Sequence, residues 1–325
     1  MFLELRRLNI PKIAVVGSYA TGLTMKVNRL PSAGETLLGS GYRIDHGGKG
    51  SNQAVACARL GAHVSFVAKI GEDSFGDSAL QLYREEGVEM AHVERAAKAP
   101  TGVGFIIVEA AHGQNCIAVD PGANELLSAA DVARASGAFD SAAAVLSQLE
   151  IPVPAAEAAM AQGRSHGAVT ILNPAPVRSL PVSVLQLVDI LTPNETEAKV
   201  LAGHNPAEAA DAEVVARELI RSGVRQVVMT LGRKGALIVT ASSVRHVPGI
   251  EVSPVDSTGA GDAFNAGLAT ALAHGATLEA ATQLAVITGG LSVTKEGVIP
   301  SLPCRGDVVS FCRKEGRTYP EWLAA

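Results

Sequence analysis

The chain is 325 residues long, 47% apolar and only 18% charged, with 33 glycines and a net charge of −5. That length allows one large domain or two smaller ones, and an acidic balance with scattered Lys and Arg excludes a general nucleic-acid surface, which needs clustered cations. Cys57, Cys116, Cys304 and Cys312 form no CxxC pair and the histidines no zinc spacing, no apolar run reaches the ~18 residues of a membrane span, and residues 1–10 lack a signal-peptide core, so reduced thiols in a cytoplasmic protein are expected.

Lys12-Ile13-Ala14-Val15-Val16, closed by Gly17, predicts a buried strand. Residues 50–60 are Ala-rich and helical in pattern, with Gly61 standing where a helix-ending glycine would. An apolar run over 64–70 closes at Gly71, and a helix follows over 74–86, ended by Gly87. This alternation predicts a mostly parallel sheet with helical crossovers. Residues 103–108 and 116–119 break the rhythm. They flank Ala110-Ala111-His112-Gly113 and predict a β-hairpin outside the main sheet.

The alternation resumes with strands over 143–146, 169–172, 190–191 and 226–230, and with helices over 155–166 and 207–222. A second hairpin is predicted over 236–240 and 244–247, then two long helices over 260–274 and 278–291. No linker, repeat or low-complexity tract interrupts them. One α/β domain over 1–325 is therefore expected, with lid strands within 18–45 and 101–120. Such an outgrowth can exclude water during group transfer.

The strongest chemical signal is Asp256-Ser257-Thr258-Gly259-Ala260-Gly261-Asp262. Two glycines around an alanine open a long apolar helix, so free backbone N–H groups and the helix dipole can bind an anion there. Asp262, in the first turn, is placed to take a proton from an attacking hydroxyl. Phosphoryl transfer needs that pairing of base and fixed donors. The alternative is a tight turn with a capping acid.

A second glycine-rich stretch, His46-Gly47-Gly48-Lys49-Gly50-Ser51-Asn52-Gln53, lets a ligand approach the main chain, with Lys49 and Asn52 as polar contacts. It is neither a Walker A loop nor a dinucleotide-binding loop. Asn194 and Glu197 lie three apart at an opening helix and could organise Mg²⁺ and its waters, or merely cap the helix. Thr230-Leu231-Gly232-Arg233-Lys234-Gly235 follows a strand and could wrap a nucleotide. Glu150 stands at another strand's carboxyl end, where α/β sheets place ligand groups.

Taken together, the two glycine motifs, Asn173-Pro174-Ala175-Pro176, Asn194-Glu195-Thr196-Glu197 and residues 230–235 resemble the ribokinase-like (pfkB) family of carbohydrate kinases, over residues 12–303. The resemblance implies an ATP-dependent sugar kinase with a central, mostly parallel sheet flanked by helices, a small β-sheet lid, Mg²⁺ on the phosphates, and a homodimer joined through the lids. It makes Asp262 the base and Gly259, Ala260 and Gly261 the anion hole. Gly48, Lys49, Asn52 and Glu150 become sugar contacts. Asn194, Gly261 and residues 230–235 become nucleotide contacts, and Glu197 the acid serving Mg²⁺. Asp256, Thr258, Ser292, Lys295, Gly297 and Ser301 fall where the family holds K⁺, largely through backbone carbonyls. One departure bears on the substrate. Where the family offers an Asn and an Asp two apart to grip the sugar, this chain has Ala20 and Gly22, so ribose is expected to be handled poorly. A nucleoside or modified sugar is the alternative acceptor, and a non-catalytic sensor the alternative role.

Overall fold

The computed structural model describes residues 10–110 and 114–324. The expectation for the extreme N-terminus, and the tip of the first hairpin at 111–113, lie outside them. Thirteen strands form among the described residues: β1 Lys12–Val16, β2 Ala20–Val27, β3 Ser40–Gly47, β4 His63–Gly71, β5 Glu89–Ala96, β6 Gly102–Glu109, β7 Asn115–Asp120, β8 Ala142–Ser147, β9 Val169–Leu172, β10 Ile190–Leu191, β11 Gln226–Thr230, β12 Gly235–Val239 and β13 Val244–Pro248.

Nine of them make one sheet in the order β13-β12-β11-β10-β9-β8-β1-β4-β5. It is parallel from β5 to β11, and β12 and β13 join antiparallel at one edge. β1 is buried on both faces: Ile13 and Val15 enter one apolar core, Ala14 and Val16 the other. Burial on both sides is why this strand reads as an unbroken apolar run rather than an alternation.

Helices cover both faces. The pair Ala260–Ala273 and Leu278–Ser292 packs closely enough that a Cβ on Gly267 would lie 2.3 Å from Thr288 Oγ1. The abundance of small residues has its purpose in such contacts.

The remaining strands form a separate sheet, β3-β2-β6-β7. β6 and β7 are the expected hairpin, and β2 lies parallel to β6 with β3 antiparallel on its far side. Two expectations need correction. The apolar pattern predicts no strand between Gly87 and residue 103, yet Glu89–Ala96 forms β5, a partly exposed edge strand with charges along it. The helix expected over 207–222 is Ala212–Arg221, because Asp211 caps it by accepting from the amides of Glu213 and Val214.

Candidate active site

In β1 and its neighbours β4 and β8, crossovers leave in opposite directions, so the sheet opens a crevice at the carboxyl ends of its central strands. Ser18 follows β1, Gln148 and Glu150 follow β8, Asn173 follows β9, Thr192 and Asn194 follow β10, and Gly232 follows β11. All of them therefore gather on one rim.

The His46–Gln53 stretch leads into the helix Lys49–Arg59, begun by Gly48 at φ 87°. Glycine is demanded there: a Cβ would stand 2.6 Å from Tyr19 Cα, a backbone atom with nowhere to go. No side chain of Gly48 can cap the helix, so the site supplies the caps. Glu150 Oε2 accepts from the Lys49 amide at 2.8 Å and from Ser18 Oγ at 2.6 Å, while the Ser51 amide donates to the Ser18 carbonyl at 2.8 Å. Lys49 is half-buried. Burial works to lower its pKa, but the carboxylates of Asp262, Glu150 and Glu197 outweigh that and hold it raised, hence charged.

The Asp256–Asp262 stretch opens the helix Ala260–Ala273 behind Gly259, which sits in the left-handed region at φ 82°. The Ala260 amide leans on the Ser257 carbonyl at 3.3 Å, and the amides of Gly261 and Asp262 belong to the first turn, which has no carbonyl one turn back within the helix. Asp262 is 5% exposed. Its Oδ2 accepts from Asn52 Nδ2 at 2.8 Å and its Oδ1 from Gln53 Nε2 at 3.0 Å. Burial pushes this carboxyl up, against the pull of Lys49 and of the two amides, and Glu150 adds a like charge. The net rise is in the direction a general base needs.

Beside this helix start lies a largely apolar cleft of about 490 Å³, lined by Thr230, Gly232, Arg233 and Gly235 on one side and by Ala260 and Gly261 on the other. Its volume lies in the range of small-molecule sites. Leu231 packs on the core and the Lys234 carbonyl accepts from His246 at 2.8 Å; neither lines the cleft. Asn194 pairs with Thr230 in an isolated parallel bridge. It also caps the helix Glu195–Leu201 reciprocally with Glu197, each accepting from the other's amide at 2.8 Å. Only Oε2 of Glu197 is engaged there. Burial raises the Glu197 carboxyl, opposed by the Asn194 amide and the charge of Lys49.

Asp256, Thr258 and Gly297 are drawn together. Asp256 Oδ1 accepts from the Thr258 amide at 2.9 Å and hydroxyl at 2.7 Å, and Oδ2 from the Gly297 amide at 3.1 Å. Burial would raise the Asp256 carboxyl, but these bonds and the charge of Arg43 hold it below the ordinary range. Ser292 and Ser301 turn their hydroxyls back to the carbonyls of Gly289 and Val298, both at 2.8 Å. Lys295 is exposed, and its charge is felt by Asp307. Among the described residues no three His, Cys, Asp or Glu are grouped so as to hold a metal ion between them. The set around Asp256 is one carboxylate with hydroxyls and carbonyls, the oxygen donors a hard cation takes.

The sequence reading overlooked the side chains behind these groups. Gln53, Gln148, Asn173, Thr192 and Asn265 are all buried and hydrogen-bonded to one another. Their signal was present only as polar residues at strand ends or inside an apolar helix, where each needs a buried partner.

On the second sheet, Gly22 lies opposite Asp45 of β3, and a Cβ at 22 would lie 3.8 Å from Asp45 Cβ. That face also carries Arg43, which donates to Glu296 at 2.6 Å, so it looks across at the 292–301 segment beside the Gly259 turn.

The model of the pfkB family carbohydrate kinases matches residues 10–305. The chain is 37% identical over 299 residues to a ribokinase of Haemophilus influenzae, covering 92% of this chain and 97% of that one. It is equally 37% identical over 293 residues to a deoxyribokinase of Salmonella typhi, covering 90% and 95%. The solved structure of Arabidopsis thaliana ribokinase complexed with ribose and ATP superposes with a TM-score of 0.85 at 31% identity, covering 93% of this chain and 98% of that one.

Proposed function

The chain belongs to the pfkB family of carbohydrate kinases, and we propose that it transfers the γ-phosphoryl group of ATP to a hydroxyl of a pentose, with Asp262 as the base. One observation carries this reading: a buried carboxylate, oriented by two amide donors, stands in the first turn of a helix whose free N–H groups border a nucleotide-sized cleft.

The chemistry follows from the positions. Asp262 takes the proton of the acceptor hydroxyl as its oxygen bonds to the γ-phosphorus, and the bond from that phosphorus to the β-bridging oxygen breaks, releasing ADP. The amides around Gly259, Ala260 and Gly261 neutralise charge on the moving group, and Lys49 adds a fixed cation nearby. Gly48, Lys49, Asn52 and Glu150 hold the sugar. Thr230, Gly232, Arg233 and Gly235 hold the nucleotide, with Asn194 alongside.

Magnesium, when bound, screens the phosphates, and Glu197, with one oxygen outside the capping pair, would hold its waters. Potassium would sit against Asp256, Thr258 and the carbonyls of the 292–301 segment. On the second sheet Leu23 pairs with Ile44 and with Phe105, and the exposed apolar row they make supports a homodimer, while ATP as donor supports a cytoplasmic location.

Ribokinase and deoxyribokinase relatives do not favour the alternatives of a nucleoside kinase or a sensor. Between pentoses, Ala20 and Gly22 favour one that lacks a hydroxyl on that face. The test is ATP consumption with a panel of pentoses, ribose and 2-deoxyribose included. Asp262→Asn should lower kcat by ~10²–10⁴ while ATP binding persists, and near-parental turnover would remove Asp262 from its role.

A further inference from the structure

We propose that Gln53, backed by Gln148, is the positioning residue that aims and charges the base Asp262, a role that rests on the kinase reading above.

Gln53 is fully buried, so it cannot touch substrate. Every function of its side-chain amide is nonetheless used. Its NH₂ donates to Asp262 Oδ1 at 3.0 Å and to Asn173 Oδ1 at 3.2 Å, and its carbonyl accepts from Gln148 Nε2 at 2.6 Å. Turning the amide over would set its carbonyl against the Asp262 carboxylate and its NH₂ against that of Gln148. The Asp262 carboxylate, which as an anion only accepts, therefore fixes which end of Gln53 faces the base, and the Gln148 amide meets the carbonyl on the other side.

The chain of bonds continues. Asn173 Nδ2 donates to the Thr192 carbonyl at 3.2 Å, Thr192 Oγ1 to Asn265 Oδ1 at 2.6 Å, and Asn265 Nδ2 to the Gly261 carbonyl at 2.8 Å. One buried polar chain thus runs from the base to the peptide of the anion-binding turn, tying the two halves of the machinery together.

The need for Gln53 follows from what surrounds the base. The charged groups that reach Asp262 are Lys49, from the same helix as Gln53, and Glu150, from the segment after β8, and they oppose each other. Direct contact comes from two amides. Asn52 is at the sugar rim and must also serve the substrate. Gln53 is the donor with no duty toward the substrate, and it keeps Oδ1 committed in the free protein and throughout turnover.

The sign is definite. A donor to a carboxylate favours the charged form, so its removal raises the pKa of the base, and the acid limb of kcat moves to higher pH. The experiment compares the parent with Gln53→Met and Gln148→Met, using ribose and 2-deoxyribose as acceptors. In parallel, the side-chain carboxyl resonances of [¹³C]Asp-labelled free protein are titrated, with Asp262 identified by the signal lost in Asp262→Asn.

In Gln53→Met both the acid limb and the Asp262 titration should rise by about one pH unit, roughly a tenfold loss of kcat on the acid side, with sugar KM within about twofold because Gln53 does not face the pocket. Gln148→Met should move both in the same direction by less, since Asn173 still holds Gln53, and it carries the test if Gln53→Met does not fold. A lowered melting temperature with both titrations at parental values would make Gln53 merely structural and overturn the inference. If the parent phosphorylates neither sugar, the pentose reading fails, while the carboxyl titration still decides the role of Gln53.

Discussion

Ala20 and Gly22 stand where the resemblance to the family implies an Asn and an Asp that grip the sugar. Gly22 is not among the residues of positive φ, and a Cβ there would meet Ile106 Cδ1 at 3.4 Å, an ordinary contact. The backbone therefore accepts a side chain at 22. An aspartate would, however, face Asp45 across the strand pair, and like charges directly opposite destabilise a sheet. Ribose should accordingly be a poorer substrate than 2-deoxyribose. Ala20→Asn with Gly22→Asp, in an Asp45→Asn background, should raise kcat/KM for ribose by roughly ten- to a hundredfold, the equivalent of about 1–3 kcal/mol for a buried hydrogen bond. Efficient use of ribose by the parent, with no gain in the variant, would mean that other residues hold the sugar. Such residue-level substitutions were legible in the sequence because the flanking motifs fix the register. The neighbouring Asp45 was not, since a cross-strand partner lies 23 positions away and is set only by strand pairing.

The helix Ala260–Ala273 shows how an element carries function through its backbone. Gly259 adopts φ 82°, and a Cβ there would come within 2.7 Å of Val298 Cγ1. Gly259→Ala must therefore strain the turn and push on the 292–301 segment at once. The expected cost is of order 1–3 kcal/mol, seen as a lower melting temperature, together with a fall in kcat larger than any change in sugar KM. Retained kcat in a destabilised protein would separate the turn from the chemistry. The same segment bears on the monovalent ion. Exchanging Na⁺ for K⁺ at constant ionic strength should raise kcat or lower KM, and identical kinetics in the two salts would remove the ion from the account. Lys295 is exposed and its charge acts on Asp307, while the cation that acts on Asp256 is the Arg43 guanidinium.

Across the whole molecule, the second sheet is the part with unfinished business. On one face Leu23, Ile44 and Phe105 stand side by side across β2, β3 and β6, with Ile44 56% and Phe105 53% exposed. The opposite face carries Arg43 toward Glu296 and Asp256, so the apolar row points away from the crevice. A contiguous apolar face of this kind calls for a partner, and a second copy of the chain, lid against lid, would cover it. Light scattering should show a dimer for the parent and a monomer for Phe105→Lys with Ile44→Lys. A monomeric parent would refute the pairing.

The sequence by itself determined the parts in which function is written locally. The parallel α/β alternation, the hairpin of β6 and β7, the glycine turn before Asp262 and the helix behind Gly48 all rest on contiguous residues whose pattern has one cheap conformation. Tertiary structure decided what depends on distant residues meeting. It placed Glu150 on the Lys49 amide across 101 positions, Gln53 on Asp262 across 209, and Asp45 opposite Gly22. It also made Glu89–Ala96 a strand that its own charged sequence does not advertise, because β4 supplies the hydrogen bonds that an edge needs. A buried polar side chain announces only that it must have a partner. Which partner it has is fixed by the sheet order and by the register of strands, and neither is a property of any single stretch of chain.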